Sequence, residues 1–211
     1  KDVFIFPIQW IPENPRWKNY IDIWTKIPLM KFVVNTVKIT LIVTCLQLLT
    51  SSFAAYAFAK LNFKHKNGLF LAYIATIAVP WQVYMVPQFM MMRSFGLNDT
   101  HLAIICLQAF SAFGVFMMKQ FYEGVPTELC EAARIDGLSE YGIYARIMLP
   151  LSLPAVSTLV IFTFVNTWND FLGPLIYLTK TELKTIQIGL RMFISQYSAE
   201  YGLIMAASVV A

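Results

Sequence analysis

Charge is scarce in this sequence. Only 13% of its 211 residues are Asp, Glu, Lys or Arg, while 58% are hydrophobic. A soluble domain carries about 25% charged residues. Half that share, with abundant Phe, Tyr and Met, makes lipid the main solvent. The 16 basic and 12 acidic residues leave a net charge of +4, and the basic ones are scattered. No basic stripe for nucleic acid is present. Cysteine is sparse too. Cys45, Cys106 and Cys130 form no CxxC pair, which removes the case for a zinc or disulfide framework. They read as small apolar fillers. His65 and His101 stand alone, with no second ligand at metal spacing.

Catalytic signatures are also missing. There is no GxxxxGK(S/T) loop, no GxSxG elbow and no HExxH. If ATP drives this protein, another chain must bind it. Lys1–Asp2 leads into a Pro- and Trp-rich segment, which does not read as a signal peptide. Lys1–Met30, with Trp10, Trp17 and Trp24, reads as an interfacial segment, since indoles favour the membrane–water boundary.

What is present is a series of oily runs. Spans are expected at Phe32–Ala59, Leu69–Met92, Leu102–Phe121 and Leu151–Leu178. Gly202–Ala211 begins another and stops at half the roughly 20 residues a span needs, so the last span is expected to be cut short. Among the loops between spans, Lys60, Lys64, Lys66, Lys119, Arg134 and Arg146 fall on one side of this layout, and Arg93, Lys180, Lys184 and Arg191 on the other, which also holds the basic N-terminal segment. The positive-inside rule then puts residues 122–150 in the cytoplasm and residues 1–30 outside. That orientation requires a first span that is absent before Lys1. The whole of 1–211 reads as one transmembrane domain.

Residues 122–150 contrast with their oily flanks. Pro126 suits a helix start, and Thr127–Ile135 is rich in helix formers. Glu131 and Arg134 form an i, i+3 pair. Gly137 is placed for a left-handed stop. Ser139 can cap a second helix to about Ile147, and Pro150 marks the return to the membrane. The expected object is a helix–turn–helix. Ala132 and Ala133 offer a low surface among Glu128, Glu131 and Asp136. Lipid-surface helices are usually basic, and an anionic leaflet repels this one. A protein partner fits better.

The order Glu131-Ala132-Ala133, three residues, Gly137, nine residues, Ile147-x-Leu149-Pro150 resembles the EAA loop of binding-protein-dependent ABC importer permeases. Trp168-Asn169-Asp170, Val79–Pro87, Phe95–Thr100, Ala54–Phe63 and Gly202–Ala207 are similar to stretches of the carbohydrate-uptake, maltose-type branch. The resemblance implies an all-α polytopic membrane fold with a cytoplasmic coupling helix–turn–helix. It implies a pore shared with a second permease subunit, and two ATP-binding cassette subunits that carry ATP and Mg. It also implies a solute-binding protein that delivers a sugar. By the same resemblance Glu131, Ala132, Ala133, Arg134, Asp136, Gly137, Ile147, Leu149 and Pro150 belong to the coupling loop. This chain would hold no cofactor and catalyse no reaction itself.

Polar groups within spans are a second kind of candidate. Asp170 is the clear ionisable case, and burying such a group costs about 2.5–3.5 kcal/mol. Asn166 and Asp170 are spaced i, i+4, with Asn169 beside them. They read either as lining of the substrate path or as glue between helices. Gly173-Pro174 is expected to kink or end that span. Pro80 and Pro87 can bend the second span. Gln82, Tyr84 and Gln88 beside the bends, and Trp168, are candidates for sugar contact. An importer of a non-sugar solute fits the EAA loop equally. An ion-coupled secondary transporter would need more ionisable groups in mid-span than Asp170 alone. A membrane enzyme would need a catalytic cluster.

Overall fold

A computed structural model of the chain describes residues 16–194 and 201–211. The interfacial reading of the stretch through Pro15, including Trp10, lies outside them. The described residues are mainly helical. In chain order the helices are α1 (Asn19–Lys26), α2 (Leu29–Lys60), α3 (Lys66–Ala75), α4 (Trp81–Ser94), α5 (His101–Gln108), α6 (Ala112–Gly124) and α7 (Thr127–Ile135). There follow α8 (Glu140–Ile143), α9 (Leu149–Leu151), α10 (Leu153–Trp168), α11 (Leu172–Tyr177), α12 (Ile186–Met192) and α13 (Tyr201–Val210).

Two of the described helices are long and apolar enough to cross a membrane, and two bent helix pairs would raise that number to four. α2 is a single helix of 32 residues, about 48 Å at 1.5 Å per residue. It starts directly after Pro28. At its other end Lys66 Nζ donates to the carbonyls of Ala59 and Leu61, at 3.3 and 2.9 Å, which places a cation at the helix C-terminus. α5 and α6 make up the third span, a 24-residue stretch from His101 to Gly124. It is interrupted before Ala112, where Thr50 Oγ1 donates to the Ala109 carbonyl at 2.7 Å and Ser111 Oγ caps α6 by accepting from Gly114 N.

The second span is a bent pair. Helix 66–78 and helix 81–94 meet at 100°. Pro80 makes this break: Val79 before it is extended, as a residue preceding proline prefers, and Pro80 caps α4. Pro87 does not break the helix. It sits inside α4, where Trp81 Nε1 donates to Gln88 Oε1 at 2.8 Å. The fourth span also differs from expectation. It begins at a 79° bend between Glu140–Leu151 and Leu153–Trp168. Its helix ends at Trp168, and α11 follows as a separate short helix.

The described chain falls into two compact units, one built from residues up to 38, 99–101 and from 169 on, the other from 39–98 and 102–168. In the first, α13 lies against α1, and Ile23, Leu29, Ile186, Phe193, Leu203, Ala206 and Ala207 form the core. Gly189 allows a close approach there, because a Cβ would overlap the Phe32 ring. In the second, Ala55, Tyr56, Val115, Met118, Tyr122, Cys130, Ala133, Ile143, Tyr144, Met148, Ala155 and Leu159 pack into one apolar cluster. The inner side of the 122–150 segment is therefore part of a core.

Candidate functional site

The hairpin forms from local chemistry. Pro126 sits just before α7 and not in its first turn. α7 ends at Ile135 and is stopped by Gly137, whose φ of 82° is the left-handed conformation that glycine adopts without strain. Gly137 N donates to Arg134 O and Leu138 N to Ala133 O, each at 3.0 Å. These are the paired bonds of a Schellman stop, and Leu138 tucks against the core as that motif favours. Ser139 then caps α8, accepting from Gly142 N at 3.2 Å.

The second arm departs from expectation at its far end. It widens into a π turn over Tyr144–Met148 and continues through α9, with the bend falling after Leu151. Pro150 therefore lies inside the arm, two residues after the π turn. Widening the helix there relieves the clash a proline ring makes with the preceding turn. Ile147 and Leu149 pack against the core cluster, so they hold the arm in place.

The two faces of α7 are chemically distinct. Cys130 and Ala133 are buried, and Cys130 Sγ lies 3.7 Å from Met148 Sδ. Only Ala132 of the alanine pair is exposed. Glu128, Glu131, Ala132 and Ile135 share the outward ridge at i, i+3, i+4 and i+7, with Leu129 and Asp136 beside it. Ile135 is 86% exposed, and Tyr141 on the second arm 77%. The outcome is an open surface with large apolar groups set among three carboxylates.

Arg134 does not pair with Glu131. It reaches across the turn to Glu140, Nε to Oε1 at 2.6 Å and Nη2 to Oε2 at 3.3 Å. Tyr56 Oη of α2 donates to the same carboxylate at 2.6 Å. These donors, Arg134 first, hold the Glu140 carboxyl below the usual carboxylate range. Glu131 is left pointing outward. Glu140 carried no sequence signal beyond being one acid among several, because its partners come from distant segments.

The path candidates divide between the two units. Gln82 and Tyr84 are exposed on α4, and Gln88 accepts from Trp81. Asn166 is exposed near the end of α10, where Trp168 stacks on Phe164 at 5.6 Å. Asn169 and Asp170 lie beyond that helix, so the i, i+4 face expected for Asn166 and Asp170 does not form. Asp170 Oδ1 instead accepts from Gly173 N at 3.1 Å and caps α11. A Cβ on Gly173 would run into that carboxylate. Gly173 and Pro174 lie within α11 and do not end the span, because a proline in the first turn of a helix lacks only a donor the helix does not use. Asn169 Oδ1 accepts from Gln187 Nε2 at 3.3 Å.

One polar latch was not anticipated from the sequence. Asp99 has a left-handed φ of 57°, and its Oδ1 accepts from the backbone N–H groups of Thr179 and Lys180 at 2.9 and 3.0 Å. These bonds, Lys180 first, hold its carboxyl below the ordinary range. Asn35 Nδ2 donates to the carbonyls of Glu182 and Lys184, and His101 Nε2 lies 2.8 Å from Leu183 O. The 179–184 loop is thus held by three side chains from two separate segments, Asn35 and the 99–101 stretch.

Relatives place this architecture. Residues 47–211 match the family described as binding-protein-dependent transport system inner membrane component. The chain is 37% identical over 199 residues to the arabinooligosaccharides transport system permease protein AraQ of Halalkalibacterium halodurans, covering 94% of this chain and 71% of that protein. It is 37% identical over 177 residues to the lactose transport system permease protein LacG of Rhizobium radiobacter, covering 84% and 65%. In fold it is similar to a chain from the crystal structure of a bacterial ABC transporter involved in the import of the acidic polysaccharide alginate. That likeness has a TM-score of 0.84 at 20% identity, over 95% of this chain and 75% of that one. Fold, motif and relatives agree: the chain belongs to the family of binding-protein-dependent transport system inner membrane components.

Proposed function

We propose that this chain is a pore-forming permease subunit of an ATP-driven importer for a sugar or oligosaccharide in the bacterial cytoplasmic membrane. The observation that carries the coupling role is the open ridge of α7, where Glu128, Glu131, Ala132 and Ile135 face outward from a hairpin fixed to the core. Such a surface suits insertion into a cleft with an apolar floor and basic rim. In this reading the cleft belongs to one of two partner ATPase subunits, which bind ATP and Mg. A second permease subunit completes the pore, and an external solute-binding protein delivers the sugar. Residues 122–150 then face the cytoplasm and residues 1–30 the outside. Glu131, Ala132 and Asp136 are docking contacts. Ala133, Arg134, Gly137, Ile147, Leu149 and Pro150 maintain the shape of the handle.

The sugar assignment rests on relatives named for arabinooligosaccharides and for lactose. Gln82, Tyr84, Asn166 and Trp168 are the side chains proposed for the path, since amides and aromatic rings suit hydroxylated rings. Gln88 contributes through the Trp81 bond, and Asn169 and Asp170 by shaping the end of the span. The test is extraction of the full-length permease under mild detergent, with ATPase activity read in the presence of sugar-loaded binding proteins. Co-purification of an ATPase and a second permease, with hydrolysis stimulated by one loaded binding protein, supports the reading. Stimulation only by a protein loaded with a non-sugar solute overturns the sugar assignment.

A further inference from the structure

The last turns of α2 carry a polar stripe. Ser52, Tyr56 and Lys60 recur every four residues and so share one helix face. Each bonds a different part of the hairpin. Ser52 Oγ lies 2.7 Å from Tyr144 Oη in the π turn. Tyr56 Oη donates to Glu140 Oε2, at the start of α8. Lys60 Nζ donates to Val125 O at 2.6 Å, just before α7. The entry, the turn and the return arm are each tied. Aromatic rings fill the gaps: Phe53 stacks on Tyr144 at 4.2 Å, and Tyr56 meets Tyr122 edge-on at 6.4 Å.

Apolar contact alone is non-directional and lets packed helices slide. Hydrogen bonds resist sliding, because a displacement of about 1 Å takes contacts of 2.6–2.7 Å beyond the bonding range. The Glu140 carboxylate adds a cross-brace, since it also holds Arg134 of α7. We propose that Ser52, Tyr56 and Lys60 are positioning residues that lock the coupling hairpin to α2, so that hairpin and span move as one body when a partner displaces the hairpin. This rests on the reading of the hairpin as the ATPase handle.

The test uses the full-length chain purified with its partner permease and ATPase subunits. Spin labels are placed at Ala145 on the second arm of the hairpin, away from the α7 ridge, and at Leu49 on α2, both exposed, after Cys45 and Cys106 are replaced. The distance distribution is recorded without nucleotide and with ATP and vanadate. The lock predicts the same distribution in both states. Tyr56→Phe deletes one oxygen and keeps the ring, and Lys60→Met keeps the stem. In the double variant the distribution is expected to shift or broaden by more than about 2 Å on ATP–vanadate trapping, beyond hydrogen-bond reach. Glu140→Gln, which keeps an acceptor for Tyr56, should disturb it less than Glu140→Leu. If the double variant does not assemble, Ser52→Ala with Tyr56→Phe replaces it. A change of similar size in the unsubstituted complex, or variants that behave like it, overturns the lock. Purification of the chain without any ATPase subunit, seen before labels are read, overturns the handle and the lock together.

Discussion

Gly137→Ala isolates the backbone geometry of the hairpin from everything around it. A Cβ added at Gly137 meets nothing within 4 Å, so no steric clash enters. What remains is φ, which at 82° is left-handed. Holding an L-residue there costs about 1–2 kcal/mol. The bonds at stake are those of Gly137 N and Leu138 N to Arg134 O and Ala133 O. Hydrogen exchange of these amides in the purified complex reads the cost directly, because local opening follows the free energy lost. Protection is expected to fall about 5- to 30-fold at the turn, at about 1.4 kcal/mol per tenfold. Gly124→Ala is the control: it too has no neighbour within 4 Å, and it lacks a positive φ. Gly137→Asn should lie between the two, since Asn tolerates this region. If Gly137→Ala is as silent as Gly124→Ala, the turn does not depend on glycine and the argument from conformation fails.

Other perturbations follow from named contacts. Glu140 has a lowered pKa in the folded chain, so its contribution is fully present above the ordinary carboxylate pKa of about 4.3 and is lost as pH falls through the lower folded value. Hairpin protection should therefore weaken in acid, and Glu140→Gln should flatten that dependence. Asp170→Asn should retain uptake, since Asn caps helices as well as Asp does, whereas Asp170→Leu should not. Loss of uptake with intact protein in Asp170→Asn would favour path lining instead. Gly114→Ala places a Cβ 2.5 Å from Ser51 Oγ and 3.2 Å from Leu159 Cδ1, so the thermal midpoint should drop by an amount consistent with overpacking of about 1–3 kcal/mol.

The first arm of the hairpin and its turn were legible from local chemistry. Thr127–Ile135, the left-handed Gly137 and the Ser139 cap all form as composition and spacing dictate, because each depends only on neighbours in sequence. The long apolar helices were legible from hydropathy, but their breaks were not. Hydropathy runs smoothly through 151–178, and nothing in it distinguishes Asp170 on a helix face from Asp170 capping the next helix. Pro80 and Pro87 looked alike, yet only Pro80 sits where the chain turns. Which alanine faces outward is set by the core packed beneath α7, so Ala132 and Ala133 could not be separated by type. The Glu140 brace needs Tyr56, 84 residues away, and no local rule pairs them.

Site-directed crosslinking along α7 tests the central claim most directly. Single cysteines at Glu128, Glu131, Ala132 and Ile135, and at the buried positions 130 and 133, are paired with cysteines in the cleft of the co-purified ATPase. The account predicts adducts at the four ridge positions and none at Cys130 or at Ala133→Cys, a pattern with the helix period of 3.6. No adduct anywhere on the ridge, or adducts that ignore the buried face, would contradict the hairpin as the handle through which ATP moves this permease.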